Sequence, residues 1–200
     1  MSRPIDFYFD FASPYGFIAS TAIDEIATRA KRNIVWRPFL LGAVFQKFKQ
    51  SPLEHPAKRE YVNNRDALRS GRLKGLAMKT PQNWPEHSIP PSRIFYWIDQ
   101  QDPEAAAGYA KAAYKTYWLE GKSTANAQIA TDVATSLGFD RDQVSAAIQD
   151  QAIKDRLVAE NNAALDRGVF GSPFIFVDDE PFWGSDRLDQ VAIWLERGPF

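Results

Sequence analysis

Between Ile5 and Phe11, apolar residues alternate with Asp6, Tyr8 and Asp10, the period of two that a strand shows when its faces meet different surroundings. Ala12-Ser13-Pro14-Tyr15-Gly16 follows, and the apolar positions then respace to Ile18, Ala22, Ile23 and Ile26, which share one face of a helix. Ser13 fits the N-cap of that helix and Pro14 its first position, where a missing N–H costs nothing. Ile34-Val35-Trp36-Arg37-Pro38 predicts a second strand. The connection before it is long enough for the two strands to pair in parallel.

The middle of the chain reads as helical. One helix is expected over Glu54–Leu73, with Tyr61, Leu68 and many charges. Asp102-Pro103-Glu104 opens another through Tyr109, Ala113 and Tyr117, with Asp as cap and Pro at the first position. A third covers Ala125–Leu137, where Ile129, Val133 and Leu137 recur every fourth residue and Gly138 ends the run. Asp140-Arg141-Asp142-Gln143 resembles a capping box for a helix with Val144, Ala147 and Ile148 inward, and Ala152–Asp166 forms the next. The period changes again at Phe174-Ile175-Phe176-Val177, a strand. Asp178-Asp179-Glu180 is a turn, Pro181-Phe182-Trp183 a return strand, and Ser185–Leu195 a closing helix. The order is βαβ, a long helical block, then ββα.

Composition narrows the chemistry. The 200 residues suit one compact domain or one domain with a large insertion, and a net charge of −1 gives no field that favours nucleic acid or an anionic membrane. No apolar run approaches the roughly 18 residues a membrane helix needs. The N-terminal MSRPIDFYFDF lacks the pattern of a signal peptide, so a soluble, cytoplasmic protein is expected. The chain has no cysteine, so it makes no disulfide and has no thiol nucleophile of its own; thiol chemistry would have to come from a bound thiol. With only His55 and His87 as histidines, no metal site is expected.

Three segments carry candidate chemistry. The first is the junction at Ser13. Unpaired N–H groups and the helix dipole favour an anion there, and a thiolate beside the Ser13 hydroxyl would accept its hydrogen bond. Ser13 is a poor nucleophile without a base, so helping a thiolate is the more economical role. The second is Gly168-Val169-Phe170-Gly171-Ser172-Pro173-Phe174, a Gly/Pro turn feeding a strand. The third is Phe182-Trp183-Gly184-Ser185-Asp186-Arg187, read as a helix start with Ser185 as its cap and Asp186 complementing the dipole.

Asp6-Phe7-Tyr8-Phe9-Asp10-Phe11-Ala12-Ser13-Pro14-Tyr15 resembles the opening of the 2-hydroxychromene-2-carboxylate isomerases and the kappa-class glutathione transferases. These are members of the DsbA-like thioredoxin superfamily. The resemblance runs through nearly the whole chain and is most specific in its first and last thirds. It implies an α/β, thioredoxin-like fold with an all-helical domain inserted in its middle: residues 1–38 with 169–200 form the thioredoxin-like part, and 39–168 the insertion. It also implies that Ser13 hydrogen-bonds the sulfur of bound glutathione. Pro173 is then a cis-proline facing the first helix, and the main chain of Ser172 pairs with the cysteinyl portion. Ser185, Asp186 and Arg187 match the segment that holds the γ-glutamyl end, with N–H groups on its carboxylate and Asp186 on its ammonium. The family's Gly-Asn pair, whose Asn contacts glutathione, is absent; Phe48-Lys49-Gln50-Ser51-Pro52 stands there, and Lys49 or Gln50 is the substitute. Lys58, in Pro56-Ala57-Lys58-Arg59-Glu60-Tyr61, matches the helix near the second substrate. It is a candidate for a substrate carboxylate, though a solvated basic face explains it equally.

The activity so implied is a glutathione-dependent isomerase of an unsaturated aromatic oxo-acid. The alternatives are a kappa-like transferase or peroxidase, and a module that binds glutathione or a peptide without catalysis. The expected partners are glutathione and a small-molecule substrate, and a homodimer follows by analogy alone. Trp36, Trp97 and Trp118 read as core residues, and Trp84-Pro85-Glu86-His87 as the rim of a pocket.

Overall fold

The computed structural model describes residues 3–49 and 55–200. Strand β1 (Ile5–Phe9) is followed by helices α1 (Pro14–Ser20) and α2 (Ile23–Arg29), then by β2 (Ile34–Pro38). Eight helices come next: α3 (Leu41–Phe48), α4 (Pro56–Tyr61), α5 (Ala67–Leu73), α6 (Ile89–Asp99), α7 (Pro103–Trp118), α8 (Ala127–Ser136), α9 (Arg141–Gln149) and α10 (Gln151–Asp166). Strands β3 (Phe174–Val177) and β4 (Glu180–Trp183) and helix α11 (Leu188–Arg197) complete the described chain. The sheet order is β2-β1-β3-β4. β1 and β2 pair in parallel from Ile5 opposite Ile34 to Phe9 opposite Pro38, whereas β3 runs antiparallel to both β1 and β4. This is the expected thioredoxin-like arrangement with helices set between β2 and β3.

The alternation in β1 has a direct structural cause. Ile5, Phe7 and Phe9 project into one apolar cluster with Ile94, Phe95 and Ile98 of α6 and Tyr109, Tyr114 and Trp118 of α7. Phe9 alone meets Trp36, Phe95 and Tyr114 at centroid separations of 5.5, 6.0 and 5.6 Å. Sheet and interposed helices therefore share one continuous core. The opposite face carries Tyr8 with Phe39, Val44, Ala164, Val169, Phe174 and Phe176. Beside it Asp6 accepts from Arg37 Nε at 2.7 Å and from Arg167 at 2.6 Å, while the Arg167 guanidinium lies 3.9 Å from the Phe176 ring centroid. A charge in β1 is thus satisfied by one cation from β2 and one from the end of α10, with the aromatic face as a further partner.

Several elements depart from the pattern reading. The helix after Ser13 is two helices. Ser20 Oγ and Thr21 Oγ1 donate back to the carbonyls of Phe17 and Ile18 at 2.7 and 2.8 Å, bonds that compete with the helical ladder and end α1. The run from Pro56 to Leu73 contains a π turn, Val62–Asp66, and its start is capped by His55 Nδ1, which accepts from Ala57 N at 3.2 Å. Glu54 lies outside the described residues. Two helices were not expected, α3 and α6. α6 buries Pro90, Pro91, Ser92, Ile94, Phe95, Tyr96 and Ile98, so apolar residues lie around most of its circumference. Ser185 does not cap the last helix through its side chain; a 3-10 turn, Ser185–Arg187, precedes α11.

Because α6 is the hub of the shared core, Phe95→Ala is expected to lower the unfolding free energy by about 3–5 kcal/mol. Leu137→Ala, at a position 46% exposed, is expected to change it by less than about 0.5 kcal/mol. Urea unfolding of the two variants and the parent checks both.

Candidate functional site

β1 runs into α1 through a turn whose groups are nearly all spoken for. Ser13 is the N-cap of α1: its Oγ accepts from Gly16 N at 3.0 Å, and Pro14 occupies the first helical position. The same hydroxyl donates to the carbonyl of Ser172 at 2.9 Å. Ser172 precedes Pro173 in a cis peptide bond, so the cis-proline expected from the resemblance is present and faces the first helix. Among the described residues no acceptor meets the N–H of Tyr15, which leaves one backbone donor open beside the Ser13 hydroxyl. Ser13 is 4% exposed and Ser172 8%, so the hydroxyl lies at the floor of the junction. Gly16 is required by this closeness. A Cβ there would stand 2.5 Å from the Tyr114 hydroxyl oxygen and 2.9 Å from Ser172 Oγ.

Asp10 ties the junction to the rest of the fold. Its N–H donates to Ser172 Oγ at 2.9 Å, and its carbonyl accepts from Ser13 N and from the Tyr114 hydroxyl, each at 2.9 Å. Its carboxylate accepts from Ala12 N at 2.8 Å and from Leu41 N, at the start of α3, at 2.7 Å. The adjoining carbonyls are held by indoles. Trp84 Nε1 donates to Ala12 O at 2.7 Å and Trp118 Nε1 to Phe11 O at 3.1 Å. Burial pushes the Asp10 carboxyl above the usual carboxylate range; the Leu41 and Ala12 N–H groups and His87 pull it back without cancelling that effect. Burial also raises the Tyr114 phenol well above its ordinary value, so it remains a neutral donor to the Asp10 carbonyl.

The other candidates fall into two groups. The Gly184 N–H donates to the Pro173 carbonyl at 3.0 Å, and the 3-10 turn Ser185–Arg187 packs beside α1, so this segment joins the Ser13 junction. Within it Asp186 Oδ2 pairs with the Arg187 guanidinium at 2.9 Å, and both side chains are largely exposed. Lys49 ends α3 in the left-handed conformation, with φ of 50°. Gln50 lies outside the described residues. Lys58 is exposed on α4, and no hydrogen bond or ion pair connects it to another described residue. No group of His, Asp or Glu with metal-binding geometry occurs among the described residues.

Trp84 is not a rim residue: it is 8% exposed and part of the core, while Glu86 accepts from the Tyr117 hydroxyl at 3.1 Å and His87 is exposed. Trp36 and Trp118 are buried as expected, and Trp97 packs at the edge of the core. The sequence reading missed the supports of the junction, Asp10, Tyr114, Trp84 and Trp118. Tyr114 and Trp118 stand four apart on α7 and share its face, a spacing that pairs them. It also missed Tyr15, whose hydroxyl donates to Asp66 Oδ2 at 2.5 Å while Arg69 donates to Oδ1 at 2.5 Å. The π turn ends at Asp66, which links the run Pro56–Leu73 to α1 one residue beyond Pro14. Two hollows of the surface lie elsewhere, one of 170 Å³ between Arg3, Asp6 and Arg167 and one of 250 Å³ between Phe17, Asp24 and Lys111; neither includes Ser13.

Residues 4–196 match the model of the DSBA-like thioredoxin domain. A 2-hydroxychromene-2-carboxylate isomerase of Pseudomonas putida is 28% identical over 196 residues, covering 96% of this chain and 94% of the relative. Glutathione S-transferase kappa 2 of Caenorhabditis elegans is 26% identical over 212 residues, covering 99% and 93%. A solved 2-hydroxychromene-2-carboxylate isomerase superposes with a TM-score of 0.87 at 28% identity, over 96% of this chain and 94% of that one. Because that family model spans nearly the whole chain, the chain belongs to the DSBA-like thioredoxin domain family.

Proposed function

We propose that the chain is a glutathione-dependent isomerase acting on an unsaturated aromatic oxo-acid of the 2-hydroxychromene-2-carboxylate type. The observation that carries the reading is the position of Ser13 Oγ, at the N-terminus of α1 and 2.9 Å from the carbonyl of Ser172. In a protein without cysteine, a hydroxyl at this junction has no thiol chemistry of its own, but it is a hydrogen-bond donor for the sulfur of a bound thiol. The relatives named as isomerases and as kappa-class transferases supply the reaction classes.

In this reading the Ser172 main chain pairs with the cysteinyl part of glutathione, and Asp186 and its neighbours Ser185 and Arg187 hold the γ-glutamyl end. Lys49, at the end of α3, or Gln50, which lies outside the described residues, is the candidate to replace the family's Asn. To serve the sulfur, the Ser13 hydroxyl turns its proton from the Ser172 carbonyl to the thiolate. The α1 dipole and the open Tyr15 N–H add to the stabilisation of negative charge. The thiolate then adds to an unsaturated carbon conjugated with the substrate carbonyl: a C–S bond forms and the displaced electron pair moves onto the carbonyl oxygen. The former double bond rotates, the electron pair returns, and the C–S bond breaks. Glutathione is regenerated and nothing is oxidised or reduced. Lys58 is the candidate for the substrate carboxylate. A transferase reading is favoured by the kappa-class relatives and differs in one respect, that the C–S bond is kept.

Turnover of a 2-hydroxychromene-2-carboxylate is expected to require glutathione without consuming it. Glutathione consumption with an aryl halide and no isomerisation would favour transfer instead, and absence of glutathione binding in calorimetry would defeat both. Ser13→Ala is expected to lower kcat by about 100-fold. Asp186→Ala is expected to weaken glutathione binding about 5–10-fold with kcat largely kept, since its pair with the ligand ammonium is exposed.

A further inference from the structure

Two backbone N–H groups from separate elements converge on the Asp10 carboxylate, Ala12 N from the turn that presents Ser13 and Leu41 N from the first turn of α3. Only a side chain with two acceptor oxygens serves both. An asparagine keeps one bond and points an NH2 at the other donor, and a protonated carboxyl meets one of the donors only through its weaker hydroxyl oxygen. α3 has no side-chain cap of its own, because Leu40 at its N-cap position offers no oxygen, so Asp10 supplies the acceptor from across the site. No lysine or arginine pairs with Asp10 among the described residues, although the residue is only 5% exposed. An unpaired buried charge is costly to the fold, which argues that what it contributes lies in placement.

We propose that Asp10 is the positioning residue of this site: its ionised carboxylate holds the Ser13 turn and the start of α3 in one register. That register sets where Lys49, at the far end of α3 about 12 Å along the helix, stands relative to Ser13. The consequence for ligand binding rests on the glutathione reading above; the register does not.

The groups that face Asp10 are the Leu41 N–H from α3, the Ala12 N–H from its own turn, and Ser172 Oγ on its N–H. Ser88 and His87 face it from the segment before α6, and Tyr114 and Tyr117 from α7. Of these His87 is the one titratable group that lowers the Asp10 carboxyl, and Glu86 accepts from the Tyr117 hydroxyl beside it. Burial raises the Asp10 carboxyl, so it takes up its proton at a higher pH than an exposed carboxylate. The sign separates two roles. A carboxyl raised on folding contributes stability below its unfolded pKa and loses that contribution as pH rises through its folded pKa. Acidification therefore does not weaken the fold through Asp10, whereas it weakens the acceptor for one of the two N–H groups and loosens the register.

The test compares the parent with Asp10→Asn by amide hydrogen exchange and by glutathione calorimetry across the mildly acidic range. In the variant, exchange at Ala12 or Leu41 is expected to quicken at least about tenfold while the Ile98 amide in the core is unchanged. Glutathione affinity is expected to fall about tenfold at neutral pH; in the parent it is expected to weaken on acidification, and in the variant that dependence is expected to vanish. Equal exchange at both amides, or equal affinity with an unchanged pH profile, would overturn the proposal. If the parent binds no glutathione, the functional reading fails and the exchange arm alone decides the register. If Asp10→Asn does not fold, the parent's Ala12 and Leu41 amide resonances decide it. A common titration with the Asp10 carboxyl supports the proposal, and shifts of neither overturn it.

Discussion

Ser13 Oγ and the Ser172 carbonyl meet at 2.9 Å, and that bond closes the end of the sheet where two chain segments separated by most of the sequence come together. Everything around it serves the approach. Gly16 has no Cβ because the Tyr114 hydroxyl and Ser172 Oγ occupy that space. Gly171 has none because the Trp183 indole nitrogen would stand 2.2 Å from it. The carbonyls of Asp10, Phe11 and Ala12 each accept from a side chain of the interposed helical block, Tyr114, Trp118 and Trp84. A loop whose successive carbonyls are individually held has little freedom left, and a site built on it starts pre-organised.

This explains why the helices between β2 and β3 are not an appendage. Their aromatic residues fill the face of the sheet that Ile5, Phe7 and Phe9 present, and the polar tips of the same residues brace the Ser13 turn. Packing and site assembly thus draw on the same side chains. The other face of the sheet is closed differently, by Arg37 and Arg167 on Asp6 above an aromatic cluster. Among the described residues no lysine or arginine pairs with Asp10 at the Ser13 end of β1.

Much of the fold was legible because its signals are local. The alternation of Ile5–Phe9, the Ser-Pro cap of α1, the Asp-Pro cap of α7 and the turn at Asp178-Asp179 all reappear where the pattern put them. Ser13, Ser172 and Pro173 were placed by resemblance, and they do meet. What was not legible lacked a local signature. α6 is buried over most of its surface, and the pattern reading assigned no element there. Asp10 looked like one more polar position in an alternating strand. Its importance comes from Leu41, which the chain delivers to it only after the β-α-β unit has closed. Trp84 read as part of a pocket rim, and only the fold carries its indole to the Ala12 carbonyl.

The central claim is that this junction stabilises the thiolate of a bound thiol. It is tested most directly by the ultraviolet thiolate absorbance of glutathione bound to the protein, titrated with pH for the parent and for Ser13→Ala. The account predicts that the bound thiol of the parent is ionised near neutral pH and that its titration in Ser13→Ala moves back toward that of free glutathione. A bound thiol that titrates like free glutathione in the parent, or identically in the two proteins, would contradict it.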